Sequence, residues 1–157
     1  MNVKGGDIMS LEENKAIVRR LYEAINTRDL SSIEDFMTPD SVDHTRQLHG
    51  LEALKQYMTM LFNSSSDIHS TIEDIAAEGD KVWVRVKYTW THTGDLRGLA
   101  PTGKTFNQTS IDIYRIVDGK VMDSWSFLEL YTHLAFFKQV GVIEYTEKGK
   151  KLFPQEK

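Results

Sequence analysis

Asp112 stands in the run Ser110-Ile111-Asp112-Ile113-Tyr114-Arg115, which is otherwise apolar, aromatic and alternating. A carboxyl group inside such a strand must be solvated, paired, or held protonated. It is therefore the first candidate for chemistry, either as an acid or as an anchor for a ligand hydroxyl or carbonyl. Three other residues could work beside it. His44 follows Asp43 in a turn-like segment, and an imidazole suits proton abstraction near neutrality. A loop histidine bonded to backbone is the plainer alternative. Asp43 offers a second carboxylate. Tyr22 falls on the apolar face of a helix, where its hydroxyl either meets a ligand oxygen or forms the wet tip of a core side chain.

Alternation places Phe106, Gln108, Ser110, Asp112 and Tyr114 on one strand face. On the next strand Met122, Ser124, Ser126 and Leu128 share a face. The expectation is that Asp112 lines a pocket beside Ser124 and Ser126. The alternative is a structural pairing of Asp112 with Arg115, Arg85 or a serine. Trp90 and His92 end an apolar strand face and are expected at the pocket rim or wall, and Glu129 closes the last strand.

These residues need elements to hold them. Ser10 with Glu13 is a capping-box pattern opening a helix whose stripe is Ile17, Val18, Leu21, Tyr22 and Ile25. A short second helix with Leu30, Ile33, Phe36 and Met37 inward stops near Pro39, and Asp40 to His44 reads as an extended or turn segment. Gly50 precedes a third helix with Leu51, Leu54, Met58, Leu61 and Phe62 on one side. The period then changes to two. Strands are expected over about 68–77, from Val82 to Trp90, over 105–117 and over 120–128, with turns at Glu78-Gly79-Asp80 and Asp118-Gly119. A last helix runs from about Leu130 to Val140. Three helices, a four-stranded meander and a terminal helix indicate α+β with a curved antiparallel sheet. The N-terminal helices would wrap it into a cone around a pocket. Residues 1–9 read as a disordered N-terminus, 10–141 as one domain and 142–157 as a charged C-terminal tail.

The 157 residues carry a net charge of −4 and no cysteine. The charge is mild and forms no basic stripe, which argues against a nucleic-acid partner. The absence of cysteine excludes disulfides and thiolate chemistry and fits a cytoplasmic protein. No apolar run approaches the roughly 20 residues of a membrane span, so no membrane partner is expected. His44, His49, His69, His92 and His133 are scattered without a ligand spacing, so no metal is expected.

Several segments together resemble the SnoaL-like polyketide cyclases of the nuclear-transport-factor-2-like superfamily. They are Asn14 to Asn26, Pro39-Asp40-Ser41-Val42-Asp43-His44, the His92-Thr93-Gly94 to Pro101-Thr102-Gly103 loop, and Ile111-Asp112-Ile113-Tyr114-Arg115 followed by Asp118-Gly119-Lys120. The resemblance implies the cone fold, a homodimer, and intramolecular aldol ring closure without metal or cofactor. It places the cyclase histidine at Asp112, the cyclase aspartate at Ser126, and a further frequent histidine at Ser124. Ketosteroid isomerases, in the same superfamily, carry an aspartic acid at the place of Asp112. Their tyrosine falls near Leu21 and Tyr22, and their base near Asp43 or His44.

The expected function is thus an apolar pocket for a small hydrophobic or aromatic ligand. Cofactor-free acid/base cyclase or isomerase chemistry would be carried by Asp112, His44, Asp43 and Tyr22. The pocket would be lined by Trp90, His92, Phe106, Ser110, Tyr114, Ser124, Ser126, Leu128 and Glu129. The alternative is a non-catalytic binding or dimeric interaction module, favoured by the serine at position 126.

Overall fold

The computed structural model describes residues 10–139. Helix α1 (Leu11–Asn26) starts as its sequence dictates. The Ser10 hydroxyl accepts from the Glu13 N–H at 3.2 Å, and the Glu13 carboxylate accepts from the Ser10 N–H at 2.7 Å. Its buried face is Asn14, Ile17, Val18, Leu21, Tyr22 and Ala24. Helix α2 (Ile33–Phe36) is a single turn. The longer second helix expected through Met37 gives way there, because the buried Met37 already begins strand β1 (Met37–Asp43). Short β2 (Leu48–His49) follows, then α3 (Leu51–Ser64), β3 (His69–Glu78), β4 (Lys81–Thr91), β5 (Thr105–Val117), β6 (Lys120–Leu128) and α4 (Leu130–Gln139). The expectations for residues 1–9 and 140–157 lie outside the described residues.

The strands form one curved sheet in the order β2-β1-β6-β5-β4-β3. The expected meander is its β3-β4-β5-β6 part, and the segment read as extended or turn adds β1 and β2. All pairings are antiparallel except β1 with β6, which is parallel. Pro39 is tolerated in β1 because the register with β6 is broken between Met37 and Val42.

A bulge in β6 decides which residues face inward. Arg115 pairs with Asp123 and Ile116 with Val121, so Met122 is an extra residue without a partner on β5. Alternation through the bulge would group Met122 with Ser124 and Ser126. Instead the fully buried Val121 shares their face. The inner face, covered by α1, carries Val82, Val84 and Val86 of β4, Ser110, Asp112, Tyr114 and Ile116 of β5, and Val121, Ser124 and Ser126 of β6. The outer face carries Trp83, Arg85, Ile111, Ile113, Arg115, Asp123, Trp125 and Phe127.

The valine end of this sandwich is closed. Val82, Val84 and Val86 pack with Ile17, Val18 and Leu21 in the core, each buried side chain contributing roughly 1.5–3 kcal/mol. Farther along the same strands Tyr88, Trp90, Gln108 and Leu128 face inward yet keep partial exposure. The inner face is therefore fully buried at one end and only partly buried at the other, and Asp112 lies between the two.

The segment after β4 is fixed to α3. The Thr93 and Gly94 N–H groups both donate to the Ser64 carbonyl, at 3.0 and 2.9 Å. A Cβ on Gly94 would stand 2.0 Å from the Asn63 carbonyl oxygen, so only glycine allows this approach. His92 and Gly103 are tied by a 2.9 Å bond from the Gly103 N–H to the His92 carbonyl, which folds the intervening residues back on themselves.

Candidate active site

Asp112 is 2% exposed and is the acceptor in three side-chain hydrogen bonds. Tyr22 from α1 donates to Oδ2 at 2.6 Å, Tyr88 from β4 donates to Oδ2 at 2.7 Å, and Ser110 donates to Oδ1 at 2.5 Å. Tyr114 donates in turn to the Tyr22 hydroxyl oxygen at 2.9 Å, with the two rings edge to face. Local rules explain the convergence. Ser110, Asp112 and Tyr114 share a face because the strand period is two, and Tyr88 comes from the adjacent strand. Tyr22 reaches the sheet because it belongs to the buried stripe of α1.

Each tyrosine has one hydroxyl hydrogen, and all three are directed within the cluster. Tyr22 thus holds Asp112 in place and has no hydrogen left for a ligand oxygen. A carboxylate has about four lone-pair positions; three are occupied by these hydroxyls and one is left. Burial pushes the Tyr22 and Tyr88 hydroxyls well above the ordinary tyrosine range, as do the neighbouring hydroxyls and carboxylate. Tyr114 is raised likewise, first by burial and then by Asp112. The three hydroxyls are therefore favoured as neutral donors.

Beside this cluster stands a guanidinium. Ser126 is the direct cross-strand partner of Asp112, and its hydroxyl accepts from Arg46 Nη1 at 3.1 Å. Arg46 belongs to the β1–β2 connection and is anchored by Asp43. The same Nη1 donates to Asp43 Oδ2 at 2.6 Å, while Asp43 Oδ1 accepts the Thr45 and Arg46 N–H groups at 3.0 and 2.9 Å. Arg46 also lies over the Tyr57 ring at 5.2 Å. Burial works against its charge, but Tyr57 and Asp43 outweigh that and hold it above the ordinary arginine range.

The aromatic wall lies farther along β4 and β5. Trp90, Phe106 and Phe136 contact one another with ring centroids 4.7–4.8 Å apart. His92, fully buried, meets the Thr102 hydroxyl at 3.2 Å through Nδ1, and its Nε2 has no partner among the described residues. Leu128 is opposite Ser110 on the inner face. Gln108 donates to His133 Nδ1 at 2.7 Å, and burial lowers the His133 pKa.

The structure thus brings together Asp112, Tyr22, Ser110, Tyr114, Ser124, Ser126 and Leu128 on one face, with Trp90, His92 and Phe106 continuing it. It does not bring His44 there. Parallel pairing of β1 with β6 sets Asp43 beside Ser124 on the inner face and turns His44 outward. There His44 stacks on Trp125 at 4.7 Å and donates from Nε2 to Asp123 at 2.7 Å. Asp43 is inside, but it is occupied as the cap of its own turn and the partner of Arg46. Glu129 is exposed at the strand end, its N–H bonded to the Thr109 carbonyl. The alternative pairing of Asp112 with Arg115 or Arg85 is excluded by face. Arg115 bonds Asp123, and Arg85 bonds Glu73 and Asp74, all on the outside.

Two members of the site were missed in the sequence. Tyr88 lies two residues before Trp90 on the same strand face, and that alternation was the available signal. Arg46 stands in a turn whose path no local pattern fixes. Among the described residues an open cleft of about 420 Å³ lies elsewhere, lined by Gln56, Thr59, Met60, Asn63 and Asp95.

The chain as a whole is similar to known proteins. The family model for SnoaL-like polyketide cyclases matches residues 15–136. Aklanonic acid methyl ester cyclase DauD of Streptomyces sp. (strain C5) is 32% identical over 146 residues, covering 88% of each chain. Nogalonic acid methyl ester cyclase of Streptomyces nogalater is 26% identical over 109 residues, covering 66% of this chain and 81% of that one. Among solved structures, AclR of Streptomyces galilaeus, a proposed hydroxylase, superposes with a TM-score of 0.76 at 27% identity, over 88% of this chain and 91% of that one. IdmH of Streptomyces antibioticus, a proposed polyketide cyclase, gives 0.68 at 28% identity, over 82% and 99%.

Proposed function

We propose, because the chain belongs to the SnoaL-like polyketide cyclase family, that it closes a ring in a polyketide acid methyl ester by cofactor-free acid/base chemistry next to a carbonyl. The observation that carries this reading is the buried carboxyl of Asp112, fixed by three hydroxyls, at the edge of the part-exposed stretch Tyr88, Trp90, Gln108 and Leu128. That stretch would receive a flat, largely apolar ligand against Trp90 and Phe106.

In the reaction, a C–H bond beside a ligand carbonyl breaks and its proton goes to the open lone pair of Asp112. The electron pair forms an enolate, which attacks a second carbonyl carbon of the same molecule. One C–C bond forms, the second carbonyl π bond opens, and its oxygen takes the proton back from Asp112, which returns the carboxylate to its starting state. Atoms balance without an oxidant or reductant. Tyr22, Tyr88 and Ser110 hold the carboxyl in line, and such a positioned base contributes on the order of 10²–10⁴ in rate.

The test is turnover of aklanonic acid methyl ester and nogalonic acid methyl ester, followed by chromatography. Cyclisation of either, slowed at least 100-fold in Asp112→Asn with an unchanged circular-dichroism spectrum, is the expected result. Full turnover by that variant would sink the assignment. A second reading, a module that binds such a molecule without converting it, is favoured by Ser126 at the position where the family resemblance puts an acid. Binding of either ester without any conversion would support it. The exposed outer-face residues Phe127 and Ile111, beside Trp83 and Trp125, are consistent with a homodimer in both readings.

A further inference from the structure

We propose that Arg46 is the receptor for an anionic oxygen of the ligand, a carboxylate or an enolate, so that the site selects charged oxygen as well as apolar surface. The inference rests on the reading that the partly buried end of the inner face holds the ligand.

Three observations carry it. Arg46 is half-buried, with its side chain 27% exposed; its Nη1 bonds Asp43 and Ser126, and the Tyr57 hydroxyl is a further side-chain partner. A guanidinium offers five N–H donors in a planar fork, more than Asp43, Ser126 and Tyr57 together engage. A partly desolvated donor group gains from a partner there and loses by having none. Second, the position is right. Nη1 is 3.1 Å from Ser126 Oγ, and Ser126 is the cross-strand partner of Asp112, so directly opposed side chains on this face start about 5 Å apart. A ligand carbon poised over Asp112 would therefore have its neighbouring oxygen within reach of the fork. Third, the residues at the inner ends of β6 are neutral. With serine at both 124 and 126, Asp43 is the one carboxylate that Arg46 engages. The guanidinium keeps charge and donors to spare, and Asp43 and Tyr57 hold it in a fixed orientation.

Arg46 is thus the counterpart of Asp112. The carboxyl takes the proton and the guanidinium takes the charge that proton leaves behind. A fixed cation at a developing oxyanion is worth more in such a partly water-excluded site than in bulk solvent.

The experiment compares two probes of one shape by isothermal calorimetry at pH 7, 2-naphthoate and neutral 2-acetylnaphthalene, on the full chain. Naphthoate is expected to bind at least tenfold more tightly. Arg46→Met should remove that preference while leaving the Kd of the neutral probe within about twofold, and Arg46→Lys should restore part of it. Because Arg46→Met also strips Asp43 of its partner, Ser126→Asp is the second variant. It leaves Arg46 in place, sets a carboxylate against Nη1, and should weaken naphthoate alone. Equal binding of the two probes to the native chain, or a preference that survives Arg46→Met, overturns the proposal while the cavity reading stands. Binding of neither probe overturns both. In the cyclisation assay a loss of kcat in Arg46→Met identifies the developing enolate, and a rise in KM alone identifies a substrate carboxylate.

Discussion

The hydroxyl of Tyr22 and the carboxyl of Asp112, 90 residues apart in the chain, are joined by a buried hydrogen bond of 2.6 Å. That bond ties α1 to the middle of the sheet at the point where the fully buried end of the inner face meets the partly buried one. It engages within the protein the hydroxyl that the sequence offered either to a ligand oxygen or as the tip of a core side chain.

The tyrosine cluster gives an alkaline signature. Burial first, then the neighbouring hydroxyls and Asp112, raise the folded-state pKa values of Tyr22 and Tyr88 above the ordinary value of about 10. A group whose folded pKa is raised binds its proton more tightly in the native state. Its stabilisation is complete below the unfolded pKa and is lost as pH rises beyond it. The chain has six tyrosines. Absorbance at 295 nm should show Tyr22, Tyr88 and Tyr114 ionising only together with loss of the circular-dichroism signal above about pH 10. Tyr22→Phe should lower stability in urea by about 1–3 kcal/mol, because Tyr114 and Asp112 each lose a partner. Early titration of all six in the folded protein would contradict the cluster.

The outward histidine predicts a separation of activity from acid stability. Burial opposes the charge of Asp123, but hydrogen bonds from His44 and Arg115 outweigh it and hold its carboxyl below the usual range. Such a depressed group stabilises the fold above its unfolded pKa, about 3.9, and this is lost as pH falls through the lower folded value. His44→Ala should leave cyclisation within about twofold, far short of the on-the-order-of-10² loss expected for a working base. It should also unfold at higher pH than the native protein in an acid titration followed by tryptophan fluorescence. A 100-fold fall in turnover with intact structure would return His44 to the chemistry.

Gly94 tests the anchoring of the segment after β4. Its φ is not the issue; space is, since a Cβ would sit 2.0 Å from the Asn63 carbonyl oxygen. Gly94→Ala must push that backbone off α3, breaking the pair of bonds to the Ser64 carbonyl. A loss of about 1–3 kcal/mol in urea denaturation is expected, the usual cost of forcing atoms into filled space. A stability unchanged within error would show that the approach is looser than this.

Much of the fold was legible because its signals are local. The capping box at Ser10 and Glu13, the apolar stripe of α1, and the alternation of β4 and β5 each follow from a backbone period. Asp112 was found for the same reason, as a charge where the period demanded apolar atoms. Strand β1 was not legible as a strand, since Pro39 and two aspartates disguise it and its pairing with β6 is made 80-odd residues away. The face of His44 depended on that pairing and could not be read from its neighbours. Arg46 was invisible for a related reason. Its partner Ser126 lies 80 positions along the chain, and only the tertiary path of the β1–β2 turn brings them together.

Met122 shows how little separates this site from a different one. Side chains of a strand take turns between the two surfaces, so a single surplus residue works as a frameshift for everything beyond it. Downstream of Met122 the inward set is Ser124 and Ser126, small and neutral, while Asp123 and Trp125 are sent outside. Were Met122 paired as an ordinary ladder residue instead of being absorbed in the bulge, the parity would reverse. An anionic carboxyl and an indole would be driven toward Asp112, crowding the space offered to a ligand and confronting one acid with another. The chemistry of the inner face is therefore written in the spacing of β6 as much as in the identity of its residues.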